Sequence, residues 1–236
     1  MNSYTPNNVD FTRSSDNFSE GLLRINTLNQ ALKKEFGEKV VKLSIDAGFT
    51  CPNRDGSKGF GGCTFCSSSG SGDNASNIDE QITLLSEKWP NAKYIAYFQN
   101  YSGTYAPVSK LRELYYGALD DPRILGLAIA TRSDCIDDDC LALLDEINKK
   151  HFLWIELGLQ TIHEDSAKNL NLCHSLQDYD ETISKLNAHN IRTVTHLILG
   201  LPGESKQDMK MSVKHAVKSN TWGLKLHLLN IFQLSI

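Results

Sequence analysis

The 236-residue sequence lacks the features that would send it out of a cell or into a membrane. Its opening, MNSYTPNNVDFTRSSDNFSE, has neither the apolar centre of a secretory signal nor the arginine-rich, acid-poor character of a transit peptide. No apolar run approaches the length of a bilayer span. Positive charge is also scarce: 24 Lys and Arg stand against 28 Asp and Glu, a net charge of −4. That balance gives no basic stripe for a phosphate backbone, so the sequence carries no DNA signal. A cytoplasmic chain is expected, and in that reducing compartment its six cysteines stay free thiols. Clustered cytosolic cysteines point to metal or catalysis.

What is present suits one sizeable domain: 40% of the residues are hydrophobic and 22% charged. Residues 1–22 read as a polar, disordered tail and 23–236 as the folded unit. Helical spacing over Asn26–Phe36 stops at Gly37, and strand and helix patterns then alternate. Strands are predicted at Val40–Asp46, Lys93–Gln99, Ile124–Thr131, Phe152–Gln160, Arg192–Gly200 and Gly223–Ile231. Amphipathic helices are predicted at Ile78–Trp89, Pro107–Leu119, Asp137–Lys149, Leu176–Ala188 and Ser205–Ser219. Asn77 with Glu80, and Ser205 with Asp208, have the spacing that satisfies the free amides of a first helical turn. The series implies a parallel sheet with right-handed crossovers.

The strand faces decide between an open sheet and a barrel. Parallel strands covered on both sides are nearly all apolar. Here one face carries Lys42, Ser44, Asp46, Glu156, Gln160, His196, Lys225 and His227, while the other carries Leu43, Ile45, Ile155, Leu157, Leu197 and Leu224. Polar groups on that scale are costly to seal without partners. An α/β partial (β/α)6 barrel, helices outside and a wet lumen within, explains the pattern.

The densest chemical signal follows the first strand, where Cys51, Cys63 and Cys66 are spaced x11 and x2 among Gly56, Gly59, Gly61 and Gly62. Three thiolates in a glycine-rich loop suit a [4Fe-4S] cluster with one iron left open, its sulfides facing backbone amides. An open iron can chelate the amino and carboxylate groups of S-adenosylmethionine (SAM) and deliver an electron to it. Two plainer readings stand beside it. A structural zinc would need a fourth ligand from Cys135, Cys140, Cys173 or His174. A thioredoxin-like pair would use Cys63 and Cys66 alone. Taken singly, His196 reads as a core histidine, Gly200 to Gly203 as a turn, and Cys135, Cys140 and Cys173 as packing thiols, while Arg132 with Asp134 reads either as a surface ion pair or, from its place after a strand, as part of a site. Yet the polar or glycine-rich clusters after the first five strands all fall at strand carboxyl ends, where active sites of such architectures gather.

KVVKLSIDAGFTCPNRDG, GGCTFC, ELGLQT and HLILGLPGE resemble radical SAM enzymes, in particular the YhcC-like bacterial group, related to the elongator catalytic subunit and to oxygen-independent coproporphyrinogen oxidase. The likeness runs from about Asn26 to Leu228. It implies that Cys51, Cys63 and Cys66 ligate the cluster and that Phe65 packs near the adenine of SAM. It further implies that Gln99 and Asn100 bind the methionine amino group, that Gln160 reaches the ribose, and that His196 and the Gly200 turn line the adenine pocket. The implied activity is reductive SAM cleavage to a 5′-deoxyadenosyl radical for hydrogen abstraction. An external flavodoxin or ferredoxin would supply the electron, and the substrate would be an RNA base or a small molecule held near Lys225 and His227.

Two departures bear on that expectation. Related enzymes carry Asn-Arg-x-His where this chain has Asn171-Leu172-Cys173-His174, so an arginine that pairs the SAM carboxylate is replaced by Leu172. Arg132 or Lys225 is the expected substitute. The family also continues beyond the sixth strand, whereas this sequence ends at Ile236, which suggests a C-terminally truncated chain. The alternative is a non-catalytic remnant that holds a cluster or zinc without turning over SAM.

Overall fold

The computed structural model describes residues 25–67, 70 and 74–229. The expected tail at 1–22, the last residues of the expected sixth strand and the apolar terminus lie outside them.

Six parallel strands run in sequence order across one sheet: β1 (Val40–Ile45), β2 (Lys93–Phe98), β3 (Ile124–Arg132), β4 (Phe152–Gln160), β5 (Arg192–Leu199) and β6 (Gly223–Leu228). The sheet curls into a half-barrel. Helices α1 (Leu28–Phe36), α2 (Ile78–Ser86), α3 (Val108–Leu119), α4 (Asp138–Asn148), α5 (Glu164–Asn169), α6 (Leu176–Ala188) and α7 (Lys206–Lys218) complete the series. Every expected strand and helix is present, with ends moved by a few residues. The short α5 and a single 3₁₀ turn at Ser133–Cys135 are additions.

Local chemistry explains the boundaries. Asn77 Oδ1 accepts from Glu80 N at the start of α2, and Ser205 with Asp208 forms a reciprocal capping box on α7. Thr27 and Gln30 do the same for α1, which ends at Gly37 with φ 75°. Between sheet and helices, Leu43, Phe98, Leu127, Ile129, Ile155 and Leu197 pack against Leu111, Tyr115, Leu144, Ile147, Tyr179 and Ile183. Leu226 and Leu228 of β6 are 52% and 77% exposed.

The inner face is divided along its length. At the amino ends of the strands, Leu32 and Phe36 of α1 pack with Ile95, Phe152, Trp154, Val194 and Trp222 and close the lumen. Small residues on β3 make room for this. Ala128 stands between Tyr97 and Trp154 in register, and a Cβ on Gly126 would run into the Phe152 carbonyl. Toward the carboxyl ends the inner face turns polar, as the alternation in the sequence requires.

Candidate active site

The polar half of the lumen opens into a cavity of about 400 Å³ at the carboxyl ends of the strands. Cys51, Cys63, Cys66, Phe65, Gln99, Arg132, Gln160 and His196 line it, together with Lys225 and His227. The structure thus brings together eight of the ten residues singled out for cluster and SAM. Asn100 and Gly200 do not line the cavity. Asn100 is 4% exposed and its Oδ1 has no hydrogen-bond partner among the described residues, while Gly200 turns the chain after β5 at φ 84°.

The cysteine loop is held from two sides. Within it, the Arg54 and Asp55 amides donate to the Cys51 carbonyl, and the Gly62 amide donates to the Asn53 carbonyl. Asn53 is fully buried and its Nδ2 points to Cys63 Sγ at 3.5 Å and to the Asn171 carbonyl. From across the lumen, Asn171 Nδ2 donates to the Gly62 carbonyl at 2.8 Å and Thr64 N donates to the Leu170 carbonyl at 3.1 Å. Gly59 has no room for a side chain, because a Cβ there would press on Asn53 Oδ1 and sit 3.1 Å from Cys173 Sγ. Burial pushes the Cys63 thiol up to about 12, against the Asn53 hydrogen bond and the charge of Arg132, which act the other way. Iron binds the thiolate, so ligation by Cys63 would release this proton.

Arg132 and Asp134 form an ion pair buried at the end of β3, not a surface one. Arg132 Nε and Nη2 donate to the Asp134 carboxylate at 2.9 and 2.8 Å, and Lys58 reaches the same carboxylate at 2.7 Å. Burial works to raise the Asp134 carboxyl, but the Arg132 hydrogen bonds and charge, with Lys58, outweigh it and hold it at about 2. The remaining Arg132 donors go to the Leu172 carbonyl at 2.8 Å and the Cys173 carbonyl at 3.3 Å, with Nη1 4.0 Å from Cys51 Sγ. The guanidinium expected to replace a missing arginine is thus occupied in fastening the loop between α5 and α6 to the cysteine loop. Leu172 itself is 3% exposed, packed in an apolar cluster with Leu170, Ile198 and Leu201 against Cys63 and Phe65.

β4 and β5 shift register between Gly158 and Gln160, and Gln160 takes φ 66° there. Such a bulge re-aims a side chain, and this one sends Gln160 into the cavity. Deeper in, Glu156 is 2% exposed and collects the lumen's polar groups. Lys42 Nζ donates to it at 2.7 Å, Tyr97 OH at 2.6 Å, Lys225 Nζ at 3.0 Å and Trp154 Nε1 at 3.2 Å, with His196 Nε2 2.8 Å away. Burial opposes ionisation of Glu156, but the His196 hydrogen bond and the two lysines win and hold its carboxyl well below the ordinary range. Burial also lowers His196, more than Glu156 raises it, so Nε2–H of the neutral ring is the donor.

Glu156 and Tyr97 were not singled out from sequence as site residues. The polar face pointed to Glu156, but nothing in the sequence said that Tyr97 and Lys42 converge on it across β3. Arg54 and Tyr101 also line the cavity; Arg54 stacks 5.4 Å from the Tyr101 ring centroid and donates to the Ser67 carbonyl at 2.5 Å.

The donor set fits an iron-sulfur cluster. Three thiols share one loop at one cavity. A cluster spreads its thiolates over separate irons, whereas a structural zinc gathers four ligands about one centre. Among the described residues, no helix is long and apolar enough to cross a membrane.

Residues 51–216 match the Radical SAM superfamily. The chain is 45% identical to the uncharacterised protein YtqA of Bacillus subtilis over 218 residues, 89% of this chain and 68% of that protein. It is 38% identical to protein YhcC of Escherichia coli over 217 residues, covering 90% and 70%. Among solved structures, coproporphyrinogen III oxidase (HemN) from Escherichia coli, a radical SAM enzyme, aligns at TM-score 0.53 with 13% identity, covering 81% of this chain and 43% of that one. The archaeal Elp3 of Methanocaldococcus infernus aligns at TM-score 0.54 with 17% identity, covering 83% and 47%. These likenesses bear out the half-barrel, and this chain spans less than half the length of either solved chain. With the family matched over most of the chain and close relatives along nearly all of the described residues, the chain belongs to the radical SAM superfamily.

Proposed function

We propose that the chain is a radical SAM enzyme in which Cys51, Cys63 and Cys66 hold a [4Fe-4S] cluster beside a SAM molecule in the lumen. The observation that carries this is the convergence of the three cysteines with Phe65, Gln99, Gln160 and His196 on one cavity at the strand carboxyl ends. When bound, the cluster supplies one electron to the sulfonium of SAM, whose cleavage gives a 5′-deoxyadenosyl radical for hydrogen abstraction.

The chain's own residues do the holding. Asn53 and Asn171 brace the cysteine loop, and Arg132 Nη1 lies 4.0 Å from Cys51 Sγ. Gln99 lines the cavity and offers its side-chain carbonyl to the amino group of SAM, while Asn100 lies behind it, outside the lining. Phe65 offers an apolar wall to the adenine, continuous with Leu172 and Ile198. Gln160, aimed by its bulge, is placed for a ribose hydroxyl. The Gly200 turn serves by ending β5 rather than by touching the nucleoside. Electrons come from an external flavodoxin or ferredoxin of the cytoplasm, and the substrate is an organic molecule admitted to the lumen.

Leu172 favours a second reading, a protein that keeps its cluster without turning over SAM. No guanidinium stands at that position for the SAM carboxylate, and Arg132 is already engaged. Anaerobic reconstitution with iron and sulfide, reduction with dithionite and chromatography for 5′-deoxyadenosine separates the two. The enzyme reading expects product from wild type and none from Cys63→Ala. A loaded cluster with no product from wild type would overturn it in favour of the second.

A further inference from the structure

The floor of the cavity carries more positive charge and more donors than its one carboxylate can absorb. Five groups point at Glu156: Lys42 and Trp154 at Oε1, and Tyr97, His196 and Lys225 at Oε2. A carboxylate offers about four lone-pair positions. The two ammonium groups against one carboxylate leave a charge of +1, that is 2 − 1, since neither His196 nor His227 is charged at neutral pH. Lys225 also donates to Tyr97 OH at 3.1 Å, and it has a third N–H to give. Beside it, His227 packs against His196 with ring centroids 5.1 Å apart, and its buried Nε2 has no hydrogen-bond partner among the described residues. Lys225 and His227 line the same cavity as the three cysteines.

Buried donors and unbalanced charge cost free energy unless something accepts them. We propose that the barrel floor binds the oxyanion group, carboxylate or phosphate, of a small-molecule substrate through Lys225 Nζ and His227 Nε2. Glu156 sets the geometry by holding Lys225 and His196 in place, and the apolar plug of Leu32, Phe36 and Trp222 closes the lumen behind. A small molecule anchored there directs its other end upward, toward the cysteine loop. That this ligand is a substrate rests on the radical SAM reading; that an oxyanion binds does not.

The site supplies its own reporter. Burial, then the charges of His196, Lys225 and Lys42, lower His227 to about 4, with Glu156 pulling the other way. An oxyanion on Lys225 reverses the balance of charge at that ring. The test is a pH titration of the histidine side chains of the full chain by NMR, in chloride and then, at equal ionic strength, with inorganic phosphate or succinate. At least one probe is expected to raise the His227 midpoint saturably. Phosphate acting alone marks a phosphorylated substrate, and succinate acting alone a carboxylate. Lys225→Gln should raise the half-saturating concentration roughly ten-fold, the loss of one charge-assisted hydrogen bond, with Lys225→Arg restoring part of it. Titrations identical to chloride with both probes would overturn the proposal, as would unaltered binding in a Lys225→Gln protein with native circular dichroism. Production of 5′-deoxyadenosine by loaded wild type is scored separately. Product without an oxyanion effect defeats only the floor site, and an oxyanion effect without product defeats only the radical SAM reading.

Discussion

Glu156 is the side chain that orders the interior. Its carboxylate ties β1, β2, β5 and β6 to β4 through Lys42, Tyr97, His196 and Lys225. Removing it leaves two half-buried ammonium groups without their shared counter-charge, so Glu156→Ala is expected to cost about 3 kcal/mol, read from urea unfolding. Asp134 makes a similar bond at the site's rim, and its sign with pH is definite. Its folded carboxyl lies below the ordinary 3.8, at about 2, so its contribution is complete above pH 3.8 and is lost as pH falls toward 2. Asp134→Asn should therefore lower stability at neutral pH and flatten the acid limb of the stability curve; an unchanged acid limb would show that the pair does not act this way. At this scale the sequence was legible where chemistry is carried by residue type and spacing. The three cysteines and the alternating polar face were readable because thiols in a glycine loop and charges on an inward strand have few other uses. Tyr97 was not, since its role arises only when Ala128 and Ala130 leave β3 low enough for β2 and β4 to meet across it.

Among the elements, the cysteine loop and the segment joining α5 to α6 behave as one unit. Asn53, Thr64, Asn171 and Arg132 stitch them together, and Asn171 and Cys173 hold left-handed backbone angles of 53° and 54° to allow it. Gly59→Ala is expected to wedge this seam open through Asn53 and Cys173, lowering iron per chain after reconstitution while the circular dichroism of the barrel stays native. Full iron loading would contradict the bracing role. Arg132→Gln should raise amide hydrogen exchange at residues 170–174, because it frees the Leu172 and Cys173 carbonyls, and leave exchange in α4 unchanged. The regular strands and helices were readable from period and caps. The seam was not: α5 is six residues long, too short for a helical period to register, and the meaning of Leu172 depended on where Arg132 would go.

At the scale of the whole molecule, a half-barrel plugged by α1 at one end and lined by thiols at the other separates two environments. The lower lumen is apolar and then cationic; the mouth holds the cysteine loop and the walls proposed for SAM. That polarity of the chamber follows from strand alternation together with the parallel order of the sheet, both visible in sequence. The depth and charge of its floor required the folded structure. The central claim is that three cysteines hold a [4Fe-4S] cluster with an iron open to SAM. Electron paramagnetic resonance of the anaerobically reconstituted, dithionite-reduced protein, recorded before and after adding SAM, tests it most directly. The account predicts a reduced-cluster signal in wild type that SAM perturbs, and no such signal in Cys63→Ala. A wild-type signal indifferent to saturating SAM, or a protein that takes up zinc and no iron, would contradict it.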